Sequence, residues 1–205
     1  MPSTIGHALA GAAIAWSVEA FDPRRGCQAP VPGSGARLRC QTPVPGSSAR
    51  LVAACAVIAA APDADLLFGV HRTFTHSLTA TAAVAAVAAF VAYRKKLPVA
   101  RIAIACAAAH ASHLLLDWLA ADNFPPYGIQ LFWPFNDGWY ISGVNYFLAT
   151  RRQQLFSAAA IDINMRAVAR ELLTLGPIAY VAWLVRVKTL ARLAPEMTGS
   201  HHPPQ

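Results

Sequence analysis

Hydrophobic positions along this chain fall into long unbroken runs, not into alternation. Five stand out: Ile5–Phe21, Leu51–Ala61, Ser77–Tyr93, Ile102–Ala121 and Leu172–Val187. Half-buried strands alternate and are bounded by turn residues. These runs do neither, so they predict helices and an all-α fold. The Ala-rich stretches "VIAAAP", "ATAAVAAVAAF" and "IACAAAHASH" predict helices that approach one another closely. A helix needs about 20 apolar residues to span a bilayer, with a usable range of about 17–25. Ser77–Tyr93 and Ile102–Ala121 reach that range. Leu51–Ala61 falls short unless the following "PDAD" is partly buried by protein. The expected architecture is a helical membrane bundle of about five apolar helices; a soluble helical bundle with a large core is the competing reading.

The polar segments between the runs differ in kind. Asp22–Arg50 holds a duplication, in which "CQAPVPGSGAR" (27–37) returns as "CQTPVPGSSAR" (40–50). Two copies are too few for a solenoid, and the Pro, Gly and Ser content predicts a flexible surface insertion at 22–50. Asp122–Tyr146, "DNFPPYGIQLFWPFNDGWYISGVNY", predicts a structured loop at the membrane interface, where Trp and Tyr are favoured. Asp162 is expected to N-cap a helix that Gly176-Pro177 would kink or break. The layout is a single helical domain over residues 1–193 and a disordered tail over 194–205.

Composition supports the membrane. Of 205 residues, 56% are hydrophobic and 13% charged, and the formal net charge is +7. The basic residues form no helix face interleaved with aromatics, which argues against direct nucleic-acid binding. They gather in Asp22–Arg50, in Arg94–Arg101 and in the tail at Lys188 and Arg192. If all five runs span, these segments share one side. Basic loops favour the cytoplasm, so a multi-pass inner-membrane protein is expected, with its N-terminus outside and its C-terminus inside. Met1–Thr4 has no basic region, and the run after it contains His7 and Glu19, which speaks against a secretory signal. Cys55 and Cys106 lie in apolar runs as small hydrophobes, while Cys27 and Cys40 lie in the insertion, where a cytoplasmic position disfavours a disulfide. There is no CxxC and no zinc-ribbon spacing, so thiolate metal ligation is not expected.

Costly polar groups are concentrated in two places. "PDADLLFGVHRTFTHS" (62–77) holds Asp63, Asp65, His71, Arg72 and His76. "AAAHASHLLLDWLAA" holds His113 and Asp117 at i and i+4, on one helix face, with His110 three residues earlier. In isolation each has a plain reading: a core His–Asp pair, turn residues for Asp63, a snorkelling interface cation for Arg72. Together with His7 they fall at one end of the bundle in the expected topology, whereas random helix caps would be shared between both ends. An ionisable group in an apolar helix costs a few kcal/mol on insertion scales and is a functional hypothesis by default. Hard oxygens and borderline nitrogens suit Zn, Mn or Fe. Thr75 is expected to cap the third helix, with His76 in its first turn. Arg72 is expected to hold an anionic substrate group, since guanidinium matches phosphate or carboxylate in a bidentate way.

His7, "PDAD", "HRTFTHS", "HLLLD" and "YGIQLFWPF" in this order resemble the family of inner-membrane-associated metal-dependent hydrolases, some described as LexA-binding. The resemblance runs from His7 to about Phe135, with a looser fit at "RELLTL" around Glu171. It implies a helical membrane protein with a metal site, distantly similar to zinc-dependent phospholipase C. Carried over, the metal ligands are His7, Asp63, Asp65, His76, His113 and Asp117, with His110 outside the pattern and expected to support the ligands. Asp65, His71 and Arg72 are the expected catalytic residues. The expected function is hydrolysis of a small anionic, phosphoester or lipid-derived substrate on the non-cytoplasmic side of the bilayer. A non-catalytic membrane scaffold with a structural metal is the alternative; a transporter fits less well, because the polar groups gather at one end and not at the midplane.

Overall fold

The structure is a computed structural model and describes residues 2–20, 27–28, 39–40, 45–69, 71–151 and 153–198. Five helices form an all-α bundle: α1 (Thr4–Ala20), α2 (Pro45–Ala60), α3 (Leu78–Arg94), α4 (Val99–Leu119) and α5 (Ala158–Thr198). α1 packs against α2, α4 and α5, and α3 packs on α4. α1 and α5 run parallel, because the Ser3 backbone N–H and hydroxyl bond Glu171 near one end while Arg186 pairs with Glu19 at 2.6 Å near the other.

Where the helices cross, two of the buried clusters are made of small side chains. Ala15, Cys55, Ala59, Ala105 and Ala109 form one buried cluster, and Ala13, Ala179 and Ala182 another. The large apolar side chains Val57, Val87, Phe90, Ile104, Leu173 and Ile178 face outward. In water that arrangement would waste the hydrophobic effect. In lipid it is the expected one, since tails are as apolar as Leu and helices gain from close backbone approach. Among the described residues, three helical stretches are long and apolar enough to cross a membrane: Ala49–Phe68, Val99–Leu119 and Ala158–Leu190; Leu78–Arg94 is a shorter apolar helix.

Between α1 and α2, close approach is decided at Gly11. A Cβ on Gly11 would stand 2.3 Å from the Cys55 carbonyl oxygen and 2.8 Å from Ala59 Cβ, both on α2. Gly11 lies one turn beyond His7 on the same face of α1. Gly11→Val is therefore expected to push α1 off α2, lowering stability by about 1–3 kcal/mol. Thermal unfolding in detergent checks this; an unchanged melting temperature would show that the two backbones need not touch.

The burial required of "PDAD" is met, and other local expectations are corrected. The short second run is completed by a 3-10 stretch, Ala61–Phe68, which continues α2 and buries Asp63 and Asp65 within protein. α5 passes through Gly176-Pro177 without interruption. Leu175, Ala179 and Ala182 on both sides of the Pro pack within the bundle, two of them against Ala13 of α1, and hold the two halves in one helix. α5 starts at Ala158, where the Ser157 hydroxyl accepts from the Ala160 N–H at 3.2 Å; Asp162 instead pairs with Arg166 one turn on, in solvent. The helix is continuous to Thr198.

Two-residue strands pair the duplicated copies, Cys27 opposite Cys40, and the second copy ends inside α2. The rest of the expected flexible insertion, and the question of a Cys27–Cys40 disulfide, lie outside the described residues. Asp122–Tyr146 is an ordered loop without helix, held by a bridge between Ile129 and Tyr140.

Candidate metal centre

Four helix ends bring the polar groups together. α1 supplies His7 near its start, and α4 supplies His113 and Asp117 near its end. The Ala61–Phe68 stretch supplies Asp63 and Asp65, and a second short 3-10 turn, Phe74–His76, supplies His76. Pro62 opens the first stretch, since its missing N–H is not needed there. Gly69 closes it in the left-handed region at φ 70°, where a residue without Cβ is unstrained. Arg72, at φ 68°, bends the chain again. These turns fold the segment back so that Asp65 faces His71 and His76.

The side chains fall into two groups, each with its donor atoms within 4.8 Å of one another: His7, His113 and Asp117; and Asp63, His71 and His76. His7 and His113 stack at 3.8 Å between ring centroids. Asp117 lies 3.4 Å from His7 Nε2, 3.2 Å from His113 Nε2 and 3.3 Å from His76 Nε2. His76 joins the groups, its Nε2 being 3.0 Å from that of His113.

Behind the rings, acceptors fix their orientation. His113 Nδ1–H donates to the Ala59 carbonyl at 2.8 Å, and His71 Nδ1–H donates to Asp65 Oδ1 at 2.7 Å. His76 Nδ1 lies 2.9 Å from the Thr75 hydroxyl oxygen and 3.2 Å from Asp65 Oδ2. Asp65 Oδ2 also accepts from the Thr75 hydroxyl at 2.6 Å and from the Arg72 N–H at 3.1 Å. Metal-ligating histidines typically have one nitrogen held in this way, which aims the other at the ion.

The donor set fits a divalent cation. Both nitrogens of His7 and both oxygens of Asp117 are buried without a hydrogen bond. Buried polar atoms are rarely left so. The 3.2–3.4 Å spacings around Asp117 exceed the about 2.7–2.9 Å of a charge-assisted hydrogen bond. They match the roughly 3.3 Å between ligands that each stand about 2.0–2.1 Å from a shared tetrahedral ion. In the metal-free protein burial disfavours a charged His76, but the Asp117 and Asp65 carboxylates outweigh it and raise its pKa to about 9.

Residues 1–192 match the YdjM inner membrane protein family. The chain belongs to that family. No curated protein and no solved structure matches it. The match covers the loop after α4 and most of α5 as well as the motifs, so the whole bundle is the YdjM family unit. With three helices long and apolar enough to cross, it is an inner membrane protein.

Within this YdjM family member the two groups differ in access. His7 and His113 are fully enclosed. His71 lines one cavity of about 410 Å³ and Asp63 lines another of about 340 Å³. Asp65, expected as a ligand and a catalyst, stands behind the second group, and His71 takes the place beside Asp63. The cap of α3 is Ser77, whose Oγ accepts from the Ala80 N–H at 3.1 Å; Thr75 is engaged with Asp65 instead. His110 belongs to neither group, and its Nδ1 meets the Thr81 hydroxyl at 2.8 Å. Arg72 is buried, its guanidinium paired with Asp122 and donating to the Phe124 carbonyl at 3.2 Å. Asp122, fifty residues away in sequence, is the partner that sequence reasoning missed; its only signal was a carboxylate directly after an apolar helix.

Proposed function

We propose that the chain is a multi-pass, metal-dependent hydrolase whose site faces the non-cytoplasmic side. The observation that carries this is the pairing of a closed donor group, from α1 and α4, with an open one from the segment between α2 and α3, the two meeting at His76. Structural metal sites are closed, whereas catalytic sites keep a position for water and substrate. His7, His113 and Asp117 would hold one cation, and Asp63, His71 and His76 a second beside the cavities. Zinc suits this mixture of imidazole and carboxylate best, with Mn or Fe next. When bound, such a cation supplies Lewis acidity and activation of water near neutral pH.

The chain's own residues do the rest. Asp65 holds the rings of His71 and His76 in place. The enclosed group gives the site a rigid floor. The cavities admit substrate next to Asp63 and His71. The exposed Lys95 and Lys96 lie between α3 and α4, at the opposite end of those helices, and support the orientation. A phosphoester is the substrate class favoured by the resemblance to zinc-dependent phospholipase C, and the bilayer makes lipid-derived esters accessible.

The full enclosure of His7, His113 and Asp117 also favours a second reading, a non-catalytic membrane scaffold stabilised by a structural metal. Metal analysis and hydrolysis of bis(p-nitrophenyl) phosphate by the purified protein separate the two. The hydrolase should contain metal, lose activity to a chelator and regain it with zinc. His71→Ala should abolish turnover while retaining the enclosed cation. Metal without chelator-sensitive turnover would leave the scaffold, and a metal-free wild type would remove both readings.

A further inference from the structure

We propose that Arg151 is the anion-binding residue of the open half of this site, and that it takes a phosphate-type group. The proposal rests on the metal-centre reading above. The two cavities beside the site share Leu66, Thr150 and Arg151. One reaches His71 and the other Asp63, so a ligand approaching the open group through either passes Arg151. Among the described residues, Arg151 is the one cation lining the cavity at Asp63.

Arg72, the cation expected from sequence to meet substrate, is already engaged. Asp122 neutralises it, and the Phe124 carbonyl takes a further N–H. Arg151 is differently placed. Asn164 of α5 fastens its main chain at both polar groups: Oδ1 accepts from the Arg151 N–H at 2.7 Å, and Nδ2 donates to its carbonyl at 3.0 Å. The side chain is half-buried, and among the described residues its guanidinium makes only a long contact, 3.4 Å, to Gln154 Oε1. An anchored backbone beneath an exchangeable guanidinium contact is what a preorganised binding residue needs.

Ligand chemistry follows from the two walls. A guanidinium forks two oxygens in one plane. A carboxylate has no oxygen left after that fork. A tetrahedral phosphate group has more, which would face the cation that Asp63 and His71 would hold. Leu66, Phe124 and Ile163 make the larger cavity apolar around this polar axis, which suits a phosphate carried by an amphiphile as well as free phosphate.

The test uses full-length protein in phosphatidylcholine nanodiscs, with inorganic phosphate as probe and metal content measured on each sample. Arg151→Ala should keep the wild-type metal content and bind phosphate about tenfold or more weakly, as loss of a charge-assisted contact implies. Arg151→Lys should fall between. Wild-type phosphate binding by metal-replete Arg151→Ala would overturn the assignment and leave the metal centre standing. A wild type without metal would overturn both. Short-chain phosphatidic acid, added as competitor, separates the sources: displacement of phosphate at lower concentration assigns the pocket to a lipid headgroup, displacement at equal concentration to free phosphate, and failure to compete overturns the lipid source.

Discussion

Asp117→Asn should empty the enclosed half of the site while leaving the helices in place. Asp117 is the one carboxylate of its group, and its two oxygens face His7, His113 and His76 at 3.2–3.4 Å. The amide keeps the shape and removes the charge. Loss of partners that merely orient a ligand typically costs 10–100-fold in metal affinity, so loss of a charged ligand should cost about a hundredfold or more. Chelator competition measures it, and circular dichroism confirms that the fold survives. An Asn variant that keeps wild-type affinity would show that the histidines surround no ion.

Cation binding to the open group has a pH dependence of known sign. With the His76 pKa raised to about 9, its ring carries a proton in the metal-free protein at neutral pH. A cation must displace that proton. Affinity should therefore rise with pH by about tenfold per unit and flatten above about 9.

How much of this was legible in the sequence depends on the range of the interaction involved. Unbroken apolar runs decide helix against strand locally, and five of them became five helices. His113 and Asp117 were legible because the helical period alone puts i and i+4 on one face. His7, Asp63 and His76 were legible because an ionisable group in an apolar chain needs a reason to be there. The placement of Asp65 and His71 was not. Both lie in a stretch whose path depends on two left-handed residues, Gly69 and Arg72, and only the folded turn decides which carboxylate faces inward and which one braces a ring. The continuity of α5 was hidden for a similar reason: a Pro weakens a helix locally, and packing against α1 supplies what the local pattern lacks. The Arg72–Asp122 pair has no local signature at all, since its members are fifty residues apart on unrelated loops.

That pair gives the largest expected loss of stability. Arg72 joins the site to the loop over it at several points. Its N–H donates to Asp65, its carbonyl accepts from the Gln130 N–H at 3.0 Å, and its side chain grips Asp122. Asp122 in turn accepts from the Gly128 N–H at 2.8 Å and the Phe124 N–H at 3.2 Å, which shapes the start of the loop. Arg72→Ala removes only the side chain, but it strands a buried carboxylate. Breaking one partner of a buried pair costs about 3–5 kcal/mol. The variant should melt at markedly lower temperature and expose 122–147 to protease. Arg72→Ala with Asp122→Ala should recover part of the loss, because no orphan charge remains, although the turn bonds of Asp122 are then missing. Arg72→Lys should fall between, keeping the charge but not the planar fork. A substrate anchor would behave differently: its loss would raise KM and leave the melting temperature alone. If Arg72→Ala is as stable as wild type and only its KM rises, the guanidinium binds substrate after all, and the loop is held by its backbone contacts alone.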